Sequence, residues 1–158
     1  MKLHLAGYDQ LGRRVHLGFA REFADIRTVA LPSSSFLVLL GGDTTGVPID
    51  LIYSTAECLL DRGAAYILCW GDGATVCEDI VDEAAAMRAV DNPDNPIIMT
   101  TAHEGESLDE VLRFATTVAV PAEPLTAAAD LVLIFHENVS WYSEAHNVLE
   151  EVLRNGAA

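Results

Sequence analysis

Four apolar runs of strand length, each closed by polar or acidic residues, constrain this chain more than any other feature. Residues 36–40 run into Gly41-Gly42-Asp43, 65–70 into Gly71-Asp72-Gly73, 97–99 into Thr100-Thr101-Ala102-His103-Glu104, and 131–135 into His136-Glu137-Asn138. The runs are continuous rather than alternating, the pattern of strands covered on both faces. Parallel strands joined by helices are covered in this way. Their carboxyl ends then share one edge, where open α/β sheets bind ligands.

The intervening segments carry helical periodicity. A first helix is expected at about 48–62, with Ile49, Ile52, Tyr53, Ala56, Leu59 and Leu60 on one stripe, Pro48 in the first turn and Gly63 after the end. A second, about 75–90, begins with the capping-box pattern Thr75-Val76-Cys77-Glu78 and turns Val76, Ile80, Val81, Ala84 and Met87 inward. A third, about 107–119, opens on a second capping box, Ser107-Leu108-Asp109-Glu110, and a fourth spans about 141–154 behind Ser140. Strands alternating with helices predict a three-layer, Rossmann-like, doubly wound sheet with about four parallel strands over residues 36–158. Residues 1–35 read as an N-terminal extension: Leu3 and Leu5, then Val15, Leu17 and Phe19, alternate about a turn, as in a hairpin or antiparallel edge strands. Residues 19–26 have the character of a short helix, and 121–130 is long enough to hold a helical turn.

At 158 residues the chain can bury a full core without disulfides. Cys58, Cys69 and Cys77 are odd in number and lack zinc-site spacing, so they read as reduced packing residues. There is no signal-type segment and no apolar run long enough to span a bilayer, which places the chain in the cytoplasm. The net charge is −15 and unevenly spread: residues 1–27 carry five basic and three acidic groups, and the remainder four basic and 21 acidic. Such a field repels phosphate backbones and anionic membranes, so neither nucleic acid nor a membrane is an expected partner. It keeps copies soluble and suits a basic protein partner or a cation. A homo-oligomer is also compatible with this composition.

The string Met99-Thr100-Thr101-Ala102-His103-Glu104-Gly105-Glu106-Ser107-Leu108-Asp109-Glu110, with Cys69-Trp70-Gly71, Cys77-Glu78 and Asp82-Glu83 before it, resembles a family of small bacterial α/β proteins known as a domain of unknown function. The resemblance covers roughly residues 35–155. It departs from the family pattern at Ala102, where Trp is usual, and at His136-Glu137. It implies no activity.

His103, Glu104 and Glu106 are expected in a loop at the end of the third apolar run, facing Asp43 and Asp72 at neighbouring strand ends. Imidazole and carboxylates in mutual reach can ligate a divalent metal, and carboxylates that repel one another can yield a general acid or base near neutral pH, so His103, Glu104 and Glu106 are the catalytic candidates. The same acids also suit helix capping and the helix dipole without any function. No spacing matches a specific metal motif. The glycine turns lack the full phosphate-binding fingerprints and any nearby Lys, and their Asp opposes an anion. No nucleophile elbow is present and no Cys has a His beside it. Trp70 and Trp141 border the same edge as candidate pocket-lining aromatics. Two functions fit: a binding protein in a regulatory, stress or immunity-type role that takes a basic protein or small ligand at the carboxyl edge, or a metal-assisted hydrolase using Asp43, Asp72, His103, Glu104 and Glu106.

Overall fold

A computed structural model describes residues 1–156. The elements follow one another as β1 (Leu3–Tyr8), β2 (Arg14–Ala20), a 3-10 turn (Phe23–Thr28), β3 (Phe36–Gly41), α1 (Ile49–Asp61), β4 (Ala64–Trp70), α2 (Ala74–Asp91), β5 (Met99–His103), α3 (Leu108–Thr117), a short 3-10 turn (Leu125–Ala127), β6 (Asp130–His136) and α4 (Val139–Gly156). The six strands form a single mixed sheet in the order β1-β2-β6-β3-β4-β5, parallel throughout except for the antiparallel pair β1 and β2 at one edge. Among the described residues, no helix is long and apolar enough to cross a membrane.

Alternate residues of each central strand serve different cores. Phe36, Val38 and Leu40 of β3 join a cluster with Ile52, Ala56 and Leu59 of α1 and Cys77, Ile80 and Val81 of α2. Leu37 and Leu39 join Leu108, Val111 and Leu112 of α3 and Ala145 and Leu149 of α4. Full burial of each large side chain is worth about 1.5–3 kcal/mol, so the sheet is held by both faces at once, and its strands read as unbroken apolar runs for that reason.

The N-terminal segment does more than the expected hairpin. β2 pairs with β1 and also lies parallel to β6, with Val15 opposite Leu131 and Leu17 opposite Leu133. The hairpin is tied to α3 by Arg13, a buried residue whose Nε donates to Asp9 at 2.7 Å while its terminal nitrogens donate to the carbonyls of Ala119 and Ala115 at 2.6 and 2.7 Å. At the start of β6, Asp130 is wholly buried between Arg14 (2.8 Å) and His16 (2.7 Å). Burial alone would raise its pKa. The hydrogen bonds, led by that from Arg14, more than offset this and hold it below the ordinary carboxylate value.

The third apolar run marks its strand only in part. β5 begins at Met99 and continues through Thr100 and Thr101, while Ile97 precedes it and is 72 % exposed. β-branched threonines suit the half-covered edge position that β5 occupies, next to β4 alone. In α2 the inward stripe is Ala74, Cys77, Ile80, Val81 and Ala84; Val76 and Met87 face outward. Ile49 of α1 is likewise exposed.

Candidate functional site

Because β2, β6, β3, β4 and β5 run the same way, their carboxyl ends share one edge. Register sets Ala20 opposite His136, Phe135 opposite Gly41, Gly41 opposite Trp70 and Trp70 opposite His103. Asp43, Asp72, His103, Glu104 and Glu106 therefore all belong to that edge.

The side chains of Asp43, His103, Glu104 and Glu106 have separate structural duties. His103 is the last residue of β5 rather than a loop residue, and it is buried. Its Nδ1 lies 2.7 Å from a Glu106 carboxylate oxygen, its Nε2 lies 2.9 Å from the Thr101 hydroxyl, and its ring packs on Phe114 with centroids 4.7 Å apart. Both ring nitrogens are thus engaged within the protein. Glu104 accepts hydrogen bonds from the Gly73 N–H and the Thr75 hydroxyl, both at 2.7 Å. Its pKa is lowered by the Thr75 hydroxyl first and the Gly73 N–H next. Glu104 thereby supplies the negative charge that the start of α2 favours. The expected capping box at Thr75 does not form: Thr75 turns to Glu104, and Glu78 accepts from the Thr100 hydroxyl at 2.5 Å. The box at Ser107 and Glu110 does form.

Asp43 folds back on its own turn, accepting from the Thr45 hydroxyl (2.6 Å) and N–H (2.9 Å), and these bonds hold its pKa below the ordinary value. Asp72 is exposed and contributes its backbone carbonyl, which accepts from the Thr44 N–H at 2.9 Å. Trp70 meets Trp141 edge-on at 5.5 Å and Phe135 at 6.1 Å, and its indole N–H donates to the Glu106 carbonyl at 2.9 Å. Among the described residues, no group of three or more His, Cys, Asp or Glu side chains is placed to hold a metal ion.

The edge has a second feature, at the boundary between β3 and β6. β3 leads into α1 against one face of the sheet, and β6 leads into α4 against the other. Open α/β sheets usually bind ligands at such a topological switch point. His136 ends β6 there, 0 % exposed, with neither ring nitrogen hydrogen-bonded. Burial pushes its pKa down to about 4, against a smaller opposing pull from Asp43, so the imidazole is neutral at pH 7. The ring lies against Gly42, where φ is +149° and a Cβ would collide with it, and it meets the Phe23 ring edge-on at 5.1 Å. Glu137 holds a left-handed φ of 64° while its N–H extends the β2 to β6 ladder to the Ala20 carbonyl at 2.9 Å. A hollow of about 260 Å³ lies nearby, lined by Glu22, Phe23, Val47, Pro48, Leu51 and Glu137 but not by His136. The sequence signals of this corner are the Gly-Gly pair after one apolar run and the His-Glu pair after another; only topology makes them neighbours.

The fold and this edge define a mixed α/β domain whose acidic strand-end residues are chiefly occupied in holding its own turns and helix starts. The chain belongs to a family described as a domain of unknown function (DUF7684), which matches residues 17–153. No curated protein matches it.

Proposed function

We propose that this chain is an acidic cytoplasmic binding domain of Rossmann-like, doubly wound layering that engages a basic protein partner through α1, α2 and the adjoining carboxyl edge. The observation that carries this reading is the charge of the two helices. Together α1 and α2 hold eight acidic residues and a single basic one, Arg88, which is paired with Asp61. Asp50, Glu57, Asp79, Asp82 and Glu83 are all exposed. The two helices pack against each other, so the charges form one surface. A complementary basic surface would be steered onto it, accelerating association at low salt. The metal-assisted reading has less support, because both ring nitrogens of His103 and both carboxylate oxygens of Glu104 are already engaged inside the protein.

Affinity capture from the native host, with the full chain as bait, tests the proposal. A basic protein retained at low salt should be lost when Asp79, Asp82 and Glu83 are all changed to Lys. Equal capture by the charge-reversed chain would overturn the reading.

A further inference from the structure

A strand at the edge of a sheet leaves one row of backbone N–H and C=O groups without partners, and folded proteins usually protect it with a bulge, a proline, a lysine or a covering segment. The two edges of this sheet differ in that respect. β1 carries a register shift between Leu5 and Gly7 and follows Lys2. β5 pairs with β4 from Met99 to His103 without a shift and contains no proline or lysine. Among the described residues, its backbone makes no backbone hydrogen bond to any other segment. Ala102 is exposed, as are Met99 and, just ahead of it, Ile97. We infer that the free edge of β5 receives an extended segment of a basic protein, which joins the sheet as a further strand.

This docking mode rests on the basic-partner reading above, and charge decides its occupant. Side chains alternate along β5: Thr100 faces α2, where it meets Glu78 and Asp82, and His103 faces Phe114 of α3. The Thr100 hydroxyl lies 2.5 Å from Glu78 and 3.3 Å from Asp82, and its single proton serves only one of these carboxylates. A lysine or arginine on the same face of an added strand would serve both. Beside Asp82 a shallow hollow of about 170 Å³, walled by Ala86, Ala89, Pro96 and Ile97, can take the aliphatic stem of such a side chain. On the other face the added strand meets Met99, which suits an apolar residue. Main-chain bonds then supply affinity, and the alternation of basic and apolar side chains supplies selectivity. A second copy would bring the same carboxylates and a net charge of −15 to the edge, so self-pairing is opposed.

The test is a titration of the isotopically labelled full chain with a short peptide of alternating lysine and valine, blocked at both ends, followed by NMR shifts and amide hydrogen exchange. The comparators are a peptide of the same composition with its lysines grouped together and an alternating peptide of glutamate and valine. Saturable shifts at Met99–His103, with slowed exchange of alternate amides there, are expected for the lysine–valine alternation alone. Glu78→Gln combined with Asp82→Asn should weaken binding about fivefold or more. Ala102→Lys, which places a protecting cation on the edge, should do the same, and Glu150→Gln on α4 should leave binding unchanged. No saturable shift, shifts without slowed exchange in β5, equal binding of either comparator, or full affinity in the folded Ala102→Lys protein would overturn the inference. β5 amides that shift with protein concentration in the peptide-free chain would assign the edge to a second copy and overturn it as well. A basic partner captured from the host while the peptide leaves β5 untouched would sink this inference alone. Loss of the partner reading with the peptide still seated on β5 would sink only the wider proposal.

Discussion

His136 is neutral in the folded protein down to about pH 4, whereas an unfolded histidine titrates near 6.5. Its folded pKa is lowered, so the unfolded chain takes up a proton that the folded chain refuses as the pH falls from about 6.5 to 4. Folded stability is therefore greatest above this window and declines through it, by an order of about 3 kcal/mol at its lower end. Asp43 and Glu104 are also depressed, but from ordinary carboxylate values, so their contribution is lost at more acidic pH than the start of the histidine window. Urea unfolding at pH 7, 5.5 and 4.5 separates the two. The parent chain should lose stability between the first and last of these, and His136→Phe should remove most of that slope. An unchanged slope in the variant would place the sensitivity elsewhere.

Arg13 shows how an element is fastened by chemistry that a linear reading does not reveal. It connects the turn between β1 and β2 to the carbonyls at the end of α3, more than 100 residues away in the chain. Arg13→Ala would leave the Asp9 carboxylate buried without its cation and two carbonyls without donors, a change expected to cost about 3–5 kcal/mol. Arg13→Lys should recover only part of this, because an ammonium cannot reproduce the planar fork. Thermal and denaturant unfolding of both variants measures the difference. The same distinction between local and distant partners explains what the sequence made legible. The apolar runs of β3, β4 and β6 and the Ser107 capping box rest on neighbours in the chain, and each is found where the sequence pattern places it. The parallel pairing of β2 with β6 and the capping of α2 by Glu104 depend on residues that only the folded topology brings near. The candidate edge was legible as a set of strand ends. The engagement of His103 by Thr101 and Glu106, and the meeting of His136 with Gly42 and Phe23, were not.

Over the whole molecule, a net charge of −15 acts on folding and on association with opposite sign. Compaction brings like charges together, so self-repulsion opposes the folded state, and salt relieves it. A basic partner is drawn by the same field, and salt weakens that attraction. The screening length falls from about 30 Å at 0.01 M to about 8 Å at 0.15 M and about 3 Å at 1 M, so most of both effects should appear below about 0.15 M. Thermal unfolding should move to higher temperature across this range while the partner's association rate falls. Changing Asp79, Asp82 and Glu83 to Lys reverses three charges on one face, which should reduce the salt response of unfolding and of association together. A partner whose association rate is unaffected by salt would bind through contacts other than this field, even if the folded chain itself responds as expected.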